Sequence, residues 1–164
     1  MNAERRLQVL EDLEAIRTLK HRYFFCCDRK DAKGMRACFA DGPVHIDYGA
    51  LGTFDQADPL AKVFSDIGCQ PNMVEMHHGM NDQIEVTGET TARGKWSLHY
   101  FLINTATKGI TQLAGYYEDE YRKDAGQWKI TRCVFKPTST LALDTTEGVV
   151  KVLFAGGAPP PMPG

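Results

Sequence analysis

The sequence predicts an α+β fold, with N-terminal helices packed on a strongly curved, mostly antiparallel sheet that encloses one pocket. Helical patterns dominate residues 1–67, and four long strand patterns follow one another from residue 73 to residue 136. Helices followed by a run of strands, rather than alternating with them, are typical of α+β proteins. Strands of this length have to bend, and a bent sheet covered by helices leaves a cavity between the two layers.

The first 30 residues are predicted to form a helix with one apolar stripe. At 100° per residue, the side chains on the apolar face are those of Leu13, Ile16, Leu19, Tyr23, Phe24 and Cys27. The charged side chains expected elsewhere on the helix are those of Glu11, Glu14, Arg17 and Lys20. A second helix is predicted over 32–40, with Asp31 as its N-cap, and a third over 57–67.

Alternation of apolar and polar residues predicts one short strand and four long ones. In the short strand, Val44, Ile46 and Tyr48 alternate with His45 and Asp47. The long strand patterns cover 73–86, 91–104, 109–123 and 127–136. Turn-forming residues separate the long strands at 87–89, 107–109 and 124–126, which favours an antiparallel meander.

Composition excludes several classes of function. The chain has 164 residues, and Lys+Arg 19 against Asp+Glu 21 gives a formal net charge of -2, so no basic footprint for nucleic acid is expected. No stretch approaches the ~20 apolar residues of a membrane span, and the N-terminus has no signal-peptide core. We therefore expect a protein of the cytoplasm that binds neither nucleic acid nor membrane.

Cysteine use and the C-terminus bound the domain organisation. The five cysteines are scattered and odd in number, which favours packing in a reducing compartment over a disulfide framework or a zinc site. One domain is predicted over 1–145, followed by an extension over 146–164 that ends in a tail rich in Pro and Gly. No metal ion or organic cofactor is expected.

Two polar residues in apolar settings are candidates for acid–base chemistry. Asp28 closes the first helix, where a carboxylate opposes the helix dipole, so it serves either the following turn or a neighbouring histidine. His77 lies within a strand pattern beside His78, and only one of two successive strand residues faces a given side. His77 is either a buried structural histidine or a general base. Gly79 marks a bulge or a close approach to the backbone.

Aromatic residues supply the other candidates. Tyr23 and Tyr48 are expected on buried faces, where their hydroxyls either sit at the rim of the core or donate to a carbonyl or enolate oxygen. Trp96 and Tyr100 share one face of a strand, and His99 faces the other side, so either Tyr100 or His99 faces a pocket. With Phe24 on the first helix, these residues are the candidate substrate contacts.

Three segments, taken in their order along the chain, resemble the SnoaL-like branch of the nuclear transport factor 2-like superfamily. They cover 15–49, 76–96 and 113–130 and include the runs F-A-D-G, H-H-G and Y-x-D-E-Y-x-x-x-x-G-x-W. The resemblance implies a cone-shaped α+β barrel around one pocket. Within the family, the motifs are most similar to those of bile acid 7α-dehydratases and scytalone dehydratases.

The resemblance implies a site and a reaction. It places a catalytic pair on Asp28 and His77, with oxyanion tyrosines at Tyr23 and Tyr48, and puts Tyr100 where those dehydratases carry His or Asp. It implies loss of water from a small cyclic hydroxy-carbonyl substrate, steroid-like or polyketide-like, without a cofactor. It also implies a homo-oligomer, with a trimer favoured over a dimer.

Two other functions remain open from the sequence. An isomerase or cyclase of the ketosteroid isomerase type would use Asp47 as its base, with Tyr23 again as the oxyanion donor. Asp47 and Tyr48 point to opposite sides of their strand, so only one of them lines the pocket. A non-catalytic binding module would instead hold Asp28 and His77 beyond hydrogen-bond distance, roughly 3.5 Å.

Overall fold

The computed structural model describes residues 2–148, and its six strands form one open, twisted sheet. The helices are α1 (Ala3–Asp28), α2 (Ala32–Ala37) and α3 (Ala57–Val63). The strands are β1 (His45–Asp47), β2 (Thr53–Phe54), β3 (Met73–Val86), β4 (Thr91–Asn104), β5 (Gly109–Asp124) and β6 (Gln127–Asp144). Their order across the sheet is β2-β1-β6-β5-β4-β3, and every neighbouring pair is antiparallel except β1 with β6.

This architecture confirms the predicted α+β class and its order of helices before strands. The sheet does not close into a full barrel, because β2 and β3 remain at its two edges. The enclosure is instead completed by α1, which packs across β3, and by α2 and α3 beyond it. The cavity therefore lies between a curved open sheet and a helical cover.

The last strand is longer than predicted. It continues to Asp144 rather than ending at 136, because β5 offers a partner along its whole length, down to the pair of Gly109 with Asp144. Pro137 cannot donate a backbone hydrogen bond and is a poor strand residue in sequence terms. A register shift between Ala114 and Gly115 accommodates it, with Gly115 opposite Pro137.

The second and third helices are shorter than predicted. After α2, the chain turns to pair with the sheet, and Phe39 forms a parallel bridge to Ile130 in β6. The backbone of Ala40 donates to Ile130 as well, at 2.9 Å, so this segment bonds to the sheet instead of to a helical turn. After α3, a π-helical turn over Phe64–Gly68 continues the predicted helix in a wider form.

A buried ion pair joins α1 to the sheet. Lys20, predicted among the charged residues away from the apolar stripe, is fully buried, and this prediction is wrong. Its Nζ lies 2.7 Å from Asp119 Oδ2 in β5 and 3.7 Å from the centre of the Tyr117 ring. Burial works against its charge, but the Asp119 carboxylate outweighs it and raises the pKa of Lys20. Lys20 is one turn before Tyr23 and so shares the inward face of the helix.

A second contact fixes how closely α1 lies against β3. Phe24 rests on Gly79, and a Cβ added there would fall 2.1 Å from Phe24 Cε2. Of the two roles predicted for Gly79, the structure therefore shows the close approach, and the bulge lies further along, between Met80 and Gln83. The missing side chain at Gly79 is what lets the helix reach the strand.

Within residues 2–148, no helix combines the length and apolar character needed to cross a membrane. The tail at 155–164 and most of the predicted extension fall outside the described residues. The proposed boundary at 145 stays a prediction.

The buried pair predicts an asymmetric response to mutation. Lys20→Met leaves Asp119 charged and uncompensated, so we expect the free energy of unfolding to fall by about 3–5 kcal/mol. Arg17→Met is the matched control on the same helix. Arg17 bonds Asp82 at 2.8 Å but is partly exposed, and its loss should cost no more than about 1 kcal/mol. Urea unfolding of both variants gives the comparison.

The double variant separates lost charge compensation from lost packing. Lys20→Met combined with Asp119→Asn removes both charges while leaving an acceptor for Tyr121, which donates to Asp119 at 2.8 Å. We expect it to be more stable than Lys20→Met alone. A Lys20→Met cost as small as that of Arg17→Met would show that the buried pair does not hold the helix.

Candidate active site

A mostly apolar cavity of about 440 Å³ lies between the concave face of the sheet and the helices. Apolar side chains from both layers form most of its wall, including Met35, Leu60, Phe64, Leu98 and Phe135. Seven polar residues also line it: Tyr23, Tyr48, Glu75, His77, Tyr100, Tyr117 and Thr140. An apolar cavity with a few placed polar groups is typical of a small-molecule site.

A second groove, of about 550 Å³, lies over the strands away from this cavity. Charged residues such as Glu85, Arg93 and Lys95 line it, and all three are exposed to solvent. None of the sequence-predicted site residues lines it. The enclosed apolar cavity is therefore the candidate site.

Asp28 and His77 meet at the wall of the cavity. Asp28 is the last residue of α1, and its Oδ1 lies 2.7 Å from His77 Nδ1 in β3. The backbone N–H of His77 also donates to this carboxylate, at 3.0 Å to Oδ1 and 3.2 Å to Oδ2. The carboxylate thus holds both the backbone and the ring of the histidine. With the Nδ1 proton donated to Asp28, Nε2 is left as the basic nitrogen.

Two aromatic rings hold the imidazole in place. Phe24 stacks on it, with ring centres 5.8 Å apart and planes inclined by 17°. On β4, Tyr100 is paired in register with His77, and its ring centre lies 4.8 Å from that of the imidazole. Phe24 is buried and does not line the cavity, so its place is behind the histidine, not against a substrate. Tyr100 does line the cavity.

Tyr23 and Tyr48 form a hydroxyl pair at the cavity wall. Their hydroxyl oxygens are 2.7 Å apart, and the Tyr48 hydroxyl donates to Cys133 Sγ at 3.2 Å, so Tyr23 donates to Tyr48. Burial raises the pKa of both phenols well above the ordinary value. Both therefore keep their protons and remain hydrogen-bond donors across the ordinary pH range.

Two other predicted residues, Trp96 and His99, lie away from the cavity. Trp96 shares the concave face with Tyr100 but lies deeper in the core, where its Nε1 donates to the Tyr121 hydroxyl at 2.9 Å. His99 is exposed on the opposite face of β4 and stacks on His78, because successive strand residues alternate in direction. Trp96 and His99 are thus placed where they do not line the cavity.

Asp47 also lies outside the cavity, whereas Tyr48 lines it. The Asp47 carboxylate accepts from the backbone N–H of Gly49 at 2.9 Å and from Thr53 Oγ1 at 3.4 Å. It therefore caps the turn between β1 and β2. Strand parity had left the choice between these two neighbours open, and the fold resolves it in favour of the tyrosine.

Sequence reasoning missed Tyr117 and Thr140 and the one charged residue on the described cavity wall, Glu75. Its side chain is 7% exposed, forms an ion pair with Lys30 and accepts a hydrogen bond from the Tyr100 hydroxyl. The available signal was its spacing, because Glu75 precedes His77 by two residues and so points to the same face of β3. A carboxylate within the apolar run M-V-E-M was the second sign.

The polar groups divide by chemistry. The Asp28–His77 pair can take up and return a proton, as carboxylate–imidazole pairs do. The Tyr23–Tyr48 pair can present a hydroxyl donor to an oxygen on which negative charge develops, once the Tyr48 hydroxyl turns from Cys133. Among the described residues, no group of three or more His, Cys, Asp or Glu side chains is arranged to hold a metal ion.

Solved structures with the same fold include proteins named for elimination reactions. A candidate scytalone dehydratase from Novosphingobium aromaticivorans superposes with a TM-score of 0.75 at 23% identity, over 82% of this chain and 89% of that one. The LinA-type3 hexachlorocyclohexane dehydrochlorinase from Novosphingobium barchaimii gives 0.74 at 17% identity, over 85% and 94%. At these identities the likeness shows the fold alone.

A third structure, named as a dehydratase candidate of the NTF2-like family from Streptomyces avermitilis, gives a TM-score of 0.67 at 11% identity, over 79% of this chain and 98% of that one. The predicted similarity to bile acid 7α-dehydratases stays a prediction.

The model of the SnoaL-like domain family matches residues 8–134, most of the chain. The protein therefore belongs to the SnoaL-like domain family, with the Asp28–His77 pair inside the matched region.

Proposed function

We propose that the protein is a cofactor-independent dehydratase, a lyase that removes water from a small cyclic hydroxy-carbonyl compound. The observation that carries the proposal is the 2.7 Å contact between Asp28 Oδ1 and His77 Nδ1 at the wall of an apolar cavity. A base of this kind needs its tautomer fixed and its charged form stabilised, and the carboxylate does both. The names of two structural neighbours, a dehydratase and a dehydrochlorinase, agree with an elimination.

The proposed reaction uses His77 twice. Its Nε2 takes the proton from the carbon next to the carbonyl group, and Asp28 stabilises the resulting imidazolium. Tyr48 turns its hydroxyl from Cys133 Sγ to the carbonyl oxygen and, with Tyr23 donating to Tyr48, stabilises the negative charge that builds up on that oxygen. The electron pair then forms the carbon–carbon double bond as the carbon–oxygen bond breaks. The imidazolium returns its proton to the departing hydroxyl, which leaves as water, and His77 is neutral again.

The site geometry weighs against both alternatives. An isomerase that uses Asp47 as its base needs that carboxylate in the cavity, but Asp47 caps a turn outside it. A non-catalytic module predicts Asp28 and His77 out of hydrogen-bond distance, and they are in contact. Elimination uses His77, Tyr23 and Tyr48, which do line the cavity.

The cavity also bears on the class of substrate. Its volume of about 440 Å³ lies within the roughly 300–1,000 Å³ of ligand pockets, and its wall is mostly apolar. We therefore propose a neutral, hydrophobic or polycyclic substrate, steroid-like or polyketide-like in size. The location in the cytoplasm, expected from the sequence, is a separate part of the proposal.

A homo-oligomer, with a trimer favoured, remains part of the proposal. The outer face of the sheet supports self-association of the chain, because Met76, Met80 and Leu141 are each more than two-fifths exposed. Met76 and Leu141 belong to one row across four strands, through Phe101 and Gln112. A second copy of the chain would cover this apolar row.

The acid–base pair gives the first test of function. On a panel of cyclic β-hydroxy ketones, formation of the conjugated enone is followed by its ultraviolet absorbance. His77→Gln and Asp28→Asn should each lower kcat/KM by about 10²–10⁴-fold, because general acid–base catalysis is lost. His78→Gln is the matched control, since His78 is the next residue along β3 but is exposed on the other face.

Two outcomes would contradict the dehydratase. One is full turnover by His77→Gln or Asp28→Asn variants that melt at the wild-type temperature. The other is the absence of turnover of every panel member by the wild-type protein. Asp47→Ala should retain the activity, and its inactivation would favour the isomerase.

The tyrosine pair predicts a separate loss. Tyr48→Phe removes one donor to the developing oxyanion and should lower kcat by about 10²–10³-fold. Tyr116→Phe is the control, since Tyr116 is more than one-third exposed on the outer face. Equal kcat values for the two variants would remove Tyr48 from the mechanism.

The tyrosines also predict how stability depends on pH. Burial raises the folded-state pKa of Tyr23, Tyr48, Tyr100, Tyr117 and Tyr121 above the ordinary value of about 10. The folded state then binds more protons than the unfolded state at high pH, so stability is intact below pH ~10 and falls above it. Ultraviolet titration should show these five tyrosinates only when circular dichroism reports unfolding. Ionisation near pH 10 in the folded protein would contradict the burial of these hydroxyls.

A further inference from the structure

We propose that Glu75 determines specificity in the cavity: its carboxylate, held between Lys30 and Tyr100, accepts a hydrogen bond from a hydroxyl group of the substrate and excludes ligands that carry an anionic group there. The inference rests on the proposed function, because it assumes that this cavity holds the substrate. Neither the family resemblance nor the reaction proposed above assigns a role to Glu75.

Glu75 is unusual among the residues of the cavity wall. Of the described residues that line the cavity, it is the one with an Asp, Glu, Lys or Arg side chain. An ionised carboxylate in an apolar wall is costly unless hydrogen bonds compensate it. An apolar side chain would fill this position without the cost of burying a charge. We therefore infer that the carboxylate of Glu75 has a function other than packing.

The sheet places Glu75 beside the proposed base. Glu75 and His77 are two residues apart on β3 and therefore face the same side of the sheet. Tyr100 lies directly opposite His77 on β4, and its hydroxyl reaches diagonally to Glu75 Oε2 at 2.6 Å. A ligand in contact with the imidazole is thus close to the carboxylate as well.

Lys30 neutralises Glu75 from outside the cavity. Its Nζ lies 2.5 Å from Glu75 Oε1, yet Lys30 does not line the cavity. Lys30 has a φ of 62°, in the left-handed region that residues other than glycine rarely adopt, just after the end of α1. Glycine would occupy this position without strain, and a lysine there provides the ammonium group for Glu75. A ligand therefore meets the carboxylate oxygens and not the ammonium group.

The Glu75 carboxylate has room for at least one further hydrogen-bond donor. Two carboxylate oxygens offer about four acceptor positions, and Lys30 and Tyr100 each occupy one. Burial and the neighbouring Glu75 carboxylate raise the pKa of Tyr100, so this phenol keeps its proton and donates it to Glu75. The acceptor presented to a ligand is consequently Glu75.

Together, the two sets of groups define a ligand with two distinct polar ends. Tyr48, with Tyr23 donating to it, offers a donor, which suits a carbonyl oxygen, and Glu75 offers an acceptor, which suits a hydroxyl. A carboxylate or phosphate beside Glu75 would meet like charge in a poorly solvated place. The class selected is a neutral hydroxy-ketone, and the same skeleton bearing an acid is rejected.

Three probes on one skeleton test the inference by calorimetry. They are a tetralone with a hydroxyl para to its carbonyl group, the unsubstituted tetralone, and the tetralone with a carboxylate in place of the hydroxyl, at a pH where the phenol is neutral. The wild-type protein should bind the hydroxyl probe about tenfold or more tightly than the unsubstituted one, since a hydrogen bond to a charged group is a strong one. The carboxylate probe should bind least tightly of the three.

Variants then assign the preference to Glu75. In Glu75→Gln, the hydroxyl preference should fall to a few-fold, and the penalty on the carboxylate probe should shrink. In Tyr100→Phe, which frees an acceptor position on Glu75, the hydroxyl preference should be kept. Glu85→Gln is the matched control, because Glu85 lies on the same strand in an exposed ion pair with Arg93. The Glu85→Gln protein should bind all three probes with the affinities of the wild type.

The outcomes separate this inference from the proposed reaction, because no turnover is needed. Equal affinity of the wild type for the hydroxyl and unsubstituted probes, no binding of either, or an unchanged preference in Glu75→Gln would each overturn the role of Glu75. The dehydratase assignment would be unaffected. Conversely, a preference that depends on Glu75, in a protein that dehydrates no hydroxy ketone, would leave Glu75 as a ligand contact and overturn the lyase.

Discussion

The buried ion pair of Lys20 and Asp119 is the constraint on which the rest of the molecule depends. A fully buried ammonium group has to lie against its counter-ion, so this contact sets the depth and rotation of α1 on the sheet. Tyr23, Phe24 and Asp28 follow Lys20 at intervals of three, four and eight residues and therefore share its inward face. Once the position of Lys20 is fixed, the positions of Tyr23 and Asp28 on the helix are fixed as well.

The sheet contributes the other half of the site through the alternation of its side chains. Glu75 and His77 point inward from β3, and Tyr100 points inward from the paired position on β4. Gly79 lets Phe24 close over the strand, and the ring then stacks on the imidazole. Glu75, His77 and Tyr100 are thus held by regular elements, whose geometry is more rigid than that of loops.

The cavity combines an apolar wall with opposite kinds of polar group. The Tyr23 and Tyr48 hydroxyls bond to each other, the Glu75 carboxylate accepts from Tyr100, and the Asp28 carboxylate bonds to the His77 ring. In a poorly solvated cavity, each of these hydrogen bonds is stronger than it would be in water. Lys30 compensates the charge of Glu75 from behind the wall, so a ligand meets the carboxylate oxygens and not the ammonium group.

The sequence by itself determined the order of helices and strands, because periodicity and turn residues are local properties. It also determined most of the strand bounds, and the family resemblance joined Asp28 to His77 before any geometry was known. The tertiary structure alone decided which charges are buried and which neighbours face inward. Lys20 and Glu75 are buried because Asp119, Lys30 and Tyr100 reach them from distant parts of the chain. Trp96 and Tyr100 lie on the same face of β4, but the Trp96 side chain is buried in the core, whereas that of Tyr100 lines the cavity. This difference in depth depends on how the helices and the sheet pack, which the sequence pattern does not show.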